Sequence, residues 1–136
     1  MEKMIEKSRT NPASPLLVGV VDDDESMREA LESLLKSVGF GTRIFESAEE
    51  FLKAGNCFKP DCLILDMRMP GLNGLELQQK LIEDDRPVPI VFISANCEAD
   101  EKRKALSAGA IDFLHKPFTE DSLLGAVQAA IKTRAK

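Results

Sequence analysis

The chain has 136 residues, 30 % of them charged and 43 % hydrophobic, with a formal net charge of −5 at pH 7. That length suits one domain with a single sheet and covering helices, and the acidic balance argues against a surface built for nucleic-acid phosphates. No apolar stretch approaches the ~20 residues of a membrane span, and Met1–Thr10 alternates charge without a signal-peptide core, so a cytoplasmic location is expected.

Taken along the chain, apolar runs alternate with helical patterns five times. Residues 1–15 read as a loose, polar, proline-bearing tail. Leu16–Val21 is the first predicted strand. Met27, Leu31, Leu34, Leu35 and Val38 follow at helical spacing on one face, and Gly39 suits the position just past a helix end. Phe40–Phe45 is a weaker second strand. Ser47-Ala48-Glu49-Glu50 is a capping box opening a short helix that ends by Gly55. Asp61–Leu65 is the third strand, and Leu75, Leu77, Leu81 and Ile82 mark the third helix. Pro87 and Pro89 forbid helix just before Ile90–Ile93, the fourth strand. Asp100–Ser107 is a polar fourth helix, anchored by Ala105 and Leu106 and closed by Gly109. Ile111–Leu114 is the fifth strand. Thr119 caps the last helix, with Glu120 and Asp121 favouring its dipole and Leu123, Leu124, Val127 and Ile131 inward. Such alternation implies an α/β fold with a parallel sheet and right-handed crossovers.

Chemically apt groups stand where these apolar runs end. Asp22-Asp23 follow the first strand, Asp66 the third, Ser94 the fourth and Lys116 the fifth. A parallel sheet places its ligand site at the carboxyl ends of its strands. Asp24 is a third consecutive acid, read as a helix N-terminal charge because alternating side-chain directions cannot send three neighbours to one ion. The three cysteines show no Cys-x-x-Cys spacing and the chain has one histidine, so Cys57, Cys62 and Cys97 read as thiols in a reducing compartment rather than zinc ligands. His115 is read as structural. Phosphate-cradling glycine motifs are missing, which leaves nucleotide binding without support.

Val20-Val21-Asp22-Asp23, Asp66 with Pro70 and Gly74 behind it, Ser94-Ala95 and Lys116-Pro117-Phe118, in that order, resemble a receiver domain of a two-component response regulator. Asp66-Met67-Arg68-Met69-Pro70-Gly71 is most similar to the FixJ-type branch. The resemblance covers residues 16–133. It implies a (βα)5 doubly wound sheet in the flavodoxin-like strand order 2-1-3-4-5.

The resemblance also implies roles. Asp66 would be the phosphoacceptor, a carboxylate nucleophile forming an aspartyl phosphate. Asp22, Asp23, Asp66 and the backbone carbonyl of Arg68 would serve Mg²⁺, with Asp22 acting largely through water. Ser94 and Lys116 would pair with phosphoryl oxygens, the latter aimed by a cis bond to Pro117. Phe113 holds the family's switch-aromatic position and is expected to change burial when Ser94 moves. Arg68 and Asn96, two residues beyond Asp66 and Ser94, are expected to overhang the site. Such a protein is not an enzyme in the usual sense: it catalyses its own phosphotransfer and dephosphorylation. Its implied partners are a sensor histidine kinase and a second copy of itself, joined through the fourth helix, fifth strand and fifth helix. DNA becomes a partner only through a further C-terminal domain, which these residues do not include. Two rivals stand beside this reading. Asp22-Asp23-Asp24-Glu25-Ser26 contains the Asp-x-Asp-x-Ser of a haloacid-dehalogenase-like phosphatase, which would make Asp22 the nucleophile. A degenerate receiver would act as a binding module alone.

Overall fold

The computed structural model describes residues 16–96 and 98–135; the tail expected over residues 1–15 and the Cys97 thiol lie outside them. The elements are β1 (Leu17–Val21), α1 (Glu25–Ser37), β2 (Gly41–Phe45), α2 (Ala48–Ala54), β3 (Cys62–Asp66), α3 (Gly74–Glu83), β4 (Ile90–Ser94), α4 (Ala99–Ser107), β5 (Asp112–His115) and α5 (Glu120–Ala135), with a 3-10 turn at Gly55–Cys57. All five strands are parallel, in the order β2-β1-β3-β4-β5. This is the doubly wound fold that the resemblance implied.

Strand periodicity sorts the core into two layers. Val18, Val20, Cys62, Ile64, Val91 and Ile93 face α1 and α5, where Leu31, Leu35, Leu123 and Val127 meet them. The alternate residues Val21, Leu63, Leu65 and Phe92 face the other side, with Phe51 of α2, Leu77 and Leu81 of α3 and Ala105 of α4. Period-two side-chain alternation in strands covered on both faces produces this division. Burial and the nearby charge of Asp61 push the Cys62 thiol up to about 12, which leaves it inert at neutral pH.

Helix ends follow local chemistry. Asp24 caps α1 by accepting from Ser26 N at 3.0 Å, as its reading as a helix-start charge required. Ser47 accepts from Glu50 N and Thr119 from Ser122 N, each at 3.0 Å. Asn73 and Glu76 form a reciprocal capping box at α3. Gly39 and Gly109 take φ of +98° and +109° past α1 and α4, a region that costs other residues strain.

Three expected core positions are corrected. Val38, Ile82 and Leu106 are 50 %, 51 % and 40 % exposed. Each lies at or next to a helix C-terminus, where the helical face has run past the edge of the sheet. Helix α4 is therefore held by less apolar surface than expected. The Ala105 methyl contributes about 0.8 kcal/mol, against about 1.5–3 kcal/mol each for Leu123 and Val127 beneath α5. A hydrogen bond from the buried Gln78 amide to the Ala105 carbonyl (3.0 Å) adds one polar tie between α3 and α4.

Candidate functional site

Because β1 and β3 are neighbours, with Val21 opposite Leu65, the residues that end these strands rise side by side. The ladder runs one residue beyond β1, β3 and β5: Asp22 N donates to Phe45 O, Met67 N to Ile93 O and Lys116 N to Ser94 O. These bonds fix where each functional side chain leaves the sheet. Asp22, Asp23 and Asp66 converge, with one carboxylate oxygen from each within 4.8 Å of the others. Asp22 is fully buried and Asp66 is 4 % exposed, whereas Asp23 faces solvent.

Lys116 reaches the acids from β5. Its Nζ donates to Asp22 Oδ2 at 3.0 Å and stands 3.6 Å from Asp66 Oδ1. The Lys116–Pro117 bond is cis. Asp22 is held from three directions: Oδ2 by Lys116, Oδ1 by Asp24 N at 2.9 Å, and its carbonyl by Arg28 Nη1 at 2.8 Å. The Arg28 contact was not foreseen, although a basic residue one turn into α1 was the available signal.

One ammonium does not balance three carboxylates, and the ionisation of Asp66 reflects this. Burial, then the charge of Asp22, lift its carboxyl to about 7, against the opposing pull of Lys116 and the Arg68 N–H. Burial disfavours the charge of Lys116, but the hydrogen bond and charge of Asp22, then the charge of Asp66, outweigh it and hold the ammonium above the ordinary lysine range. An excess of clustered, hard oxygen donors with one member open to solvent fits a divalent cation of the Mg²⁺ kind, which keeps most of its waters.

The loop after β3 is held tightly against the acceptor. Gly74 N donates to Met67 O at 3.0 Å, and a Cβ on Gly74 would stand 2.7 Å from the Asp66 carbonyl oxygen, so any side chain there would push the loop away. Gly71 has φ +76°, and Glu49 of α2 accepts from Leu72 N at 3.0 Å. That backbone hydrogen bond holds the Glu49 carboxyl below the usual carboxylate range. Glu49 was read only as part of a capping box.

Ser94 is fully buried, and its hydroxyl is turned into its own loop: Oγ donates to Asn96 O at 2.9 Å and accepts from Asn96 N at 3.2 Å. Phe113 is 5 % exposed and stacks on Phe92 with ring centroids 5.8 Å apart. The ring therefore stands inward in this structure. Arg68 spans the rim, its Nε donating to Asn96 O at 3.3 Å and its Nη2 to Glu101 Oε1 at 2.6 Å. His115 is exposed at the end of β5. A cleft of about 520 Å³ lined by Ile82, Pro87, Val88 and Ile111 lies by the amino ends of β4 and β5, remote from these groups.

Comparison with known proteins agrees with this geometry. The family model described as "Response regulator receiver domain" matches residues 18–128. The response regulator protein TmoT of Ectopseudomonas mendocina is 46 % identical over 116 residues, covering 85 % of this chain and 53 % of that protein. The transcriptional regulatory protein FixJ of Bradyrhizobium diazoefficiens is 39 % identical over 113 residues, covering 83 % and 55 %. The chain spans about half the length of these curated relatives. Among solved structures, the response regulator StyR superposes with a TM-score of 0.83 at 44 % identity, covering 90 % of this chain and 62 % of that one. The structure named FixJ-N gives 0.80 at 31 % identity, covering 88 % and 95 %. No helix among the described residues is long and apolar enough to cross a membrane. With its strand order, its strand-end acids and this match, the chain belongs to the response regulator receiver domains of two-component systems.

Proposed function

We propose that the chain is a phosphorylation-switched signalling receiver in which Asp66 accepts a phosphoryl group from the phosphohistidine of a sensor histidine kinase in the cytoplasm. The observation that carries this reading is the convergence of Asp22, Asp23, Asp66 and Lys116 from three strand ends. An Asp66 carboxylate oxygen attacks phosphorus, the bond from phosphorus to the donor imidazole nitrogen breaks, and an acyl phosphate forms. Asp22 anchors the Lys116 ammonium beside the acceptor, where it meets the new phosphoryl oxygens as a point charge. Ser94 gives up its bond to Asn96 O and turns its hydroxyl to another of those oxygens. Asp22, Asp23, Asp66 and the Arg68 carbonyl would hold Mg²⁺, which supplies charge neutralisation between an acidic pocket and an anionic donor.

The phosphatase alternative fares worse. Both oxygens of Asp22 are engaged by Lys116 and Asp24 N, and Asp24, the second acid of that motif, is occupied as the cap of α1. A purely binding module is disfavoured by the presence of all five site groups at the carboxyl ends of the strands.

In this reading the output is a change in the surface formed by α4, β5 and α5, where a partner or a second copy docks. Phe113 being already inward, α4 is the element to move, since it rests on one buried alanine. DNA would be a partner only through a further C-terminal domain; one relative is named DNA-binding transcriptional regulator NtrC, of Proteus hauseri. Hydrogen exchange with acetyl phosphate and Mg²⁺ tests the switch: protection should change in α4 and β5. Changes confined to the loops after Asp66 and Asp23 would leave the proposed surface unsupported.

A further inference from the structure

The contact between Arg68 and Glu101 links the loop that follows the acceptor to the first turn of the weakly seated α4. Glu101 Oε1 accepts from Arg68 Nη2 at 2.6 Å and also from Glu98 N, the N-cap backbone of α4, at 3.3 Å. Arg68 in turn shares the Asn96 carbonyl with the Ser94 hydroxyl. A continuous chain of polar contacts therefore runs from α4 through Glu101, Arg68 and Asn96 to Ser94, 33 residues separating the two members of the ion pair. The Arg68 side chain is half exposed, and that of Glu101 is 21 % exposed.

We propose that Glu101 is a positioning residue for phosphoryl lifetime: it holds the Arg68 guanidinium at the rim, away from the phosphoryl position over Asp66. This rests on the reading of Asp66 as the acceptor. A phosphoryl group there brings oxygens that compete with Glu101 for the same guanidinium, and planar bidentate pairing favours phosphate as readily as carboxylate. While Glu101 keeps Arg68, the outer face of the phosphoryl group stays open to the water that must attack in line with the Asp66 oxygen. When Arg68 transfers to the phosphoryl group, that approach is covered and α4 loses its tie to the acceptor loop. Glu101 thus couples two outcomes: how fast the signal decays, and whether α4 is restrained.

Glu101→Gln isolates the effect. A glutamine oxygen can still accept from Glu98 N, as capping boxes use either residue, so the start of α4 is kept while the charge holding Arg68 is removed. The protein is labelled with radioactive acetyl phosphate and Mg²⁺, freed of donor, and followed for loss of label. Four forms are compared: wild type, Glu101→Gln, Arg68→Ala and the double variant. Glu101→Gln should lengthen the half-life about two- to fivefold, the population shift that a partly exposed ion pair can produce. In the Arg68→Ala background the same substitution should change nothing, which a general loosening of α4 would not achieve. An unchanged or shorter half-life for Glu101→Gln, or an effect that persists without Arg68, overturns the inference while leaving Asp66 as acceptor. Failure of the wild type to take up label overturns the proposed function and this inference with it.

Discussion

Removing divalent cations should abolish labelling of Asp66 by acetyl phosphate, lowering the rate by roughly 100-fold or more. The magnitude follows from the charges at the strand ends. A like charge ~4 Å away costs about 4 kcal/mol at an effective dielectric of ~20, and each ~1.4 kcal/mol is a factor of ten in rate. Asp22 and Asp23 both stand near Asp66, and an anionic donor must approach all three. Lys116 offsets part of this repulsion but is already committed to Asp22. Labelling in excess chelator is compared with labelling in millimolar Mg²⁺. Comparable rates in the two would show that Lys116 alone supplies the needed positive charge.

The same electrostatics predict that Asp66→Asn makes the metal-free protein more stable at pH 8, by about 2–4 kcal/mol at ~1.4 kcal/mol per pK unit. The sign follows from the direction of the shift. The Asp66 carboxyl titrates at about 7 in the folded chain against 3.8 for the ordinary group, so between these values the folded state binds the extra proton. Stability contributed by that proton is present below about pH 4 and is lost as pH rises through 7. At pH 8 the wild type carries a buried, repelled carboxylate, and asparagine removes it. Denaturant melts in chelator should therefore separate the two proteins at pH 8 and bring them together near pH 4. Mg²⁺ should stabilise the wild type more than the variant, because a ligand bound only by the native state adds to its stability. Equal stability of the two at pH 8 would mean that the Asp66 charge is well accommodated without metal.

Much of the fold was legible because strands buried on both faces leave continuous apolar runs, and the groups ending those runs mark the site. Strand ends slipped by a residue for a simple reason. Asp66 and Ser94 are polar, so pattern alone stops before them, yet their backbones complete the ladder. Val38, Ile82 and Leu106 misled in the opposite direction: helical spacing assigns a face but says nothing of where the sheet beneath it ends. The 3-10 turn at Gly55–Cys57 left no pattern to read. Within the site, Asp22, Asp23, Asp66 and Lys116 come together as the strand-end logic required. Glu49 and Glu101 do not announce themselves, because a glutamate in a polar helix looks like a solvated face until tertiary structure brings Leu72 N or Arg68 to it. The Asn96 carbonyl, on which Ser94 and Arg68 meet, is a backbone group that side-chain chemistry could not signal.

Site mapping decides whether Asp66 is the group that takes the phosphoryl. The chain is treated with acetyl phosphate and Mg²⁺, the acyl phosphate is reduced with borohydride, and the modified residue is located by mass spectrometry. Modification is expected at Asp66 alone, with an acid-labile and hydroxylamine-sensitive label before reduction and none in Asp66→Asn. Modification at Asp22, or full labelling of Asp66→Asn, would contradict that role for Asp66.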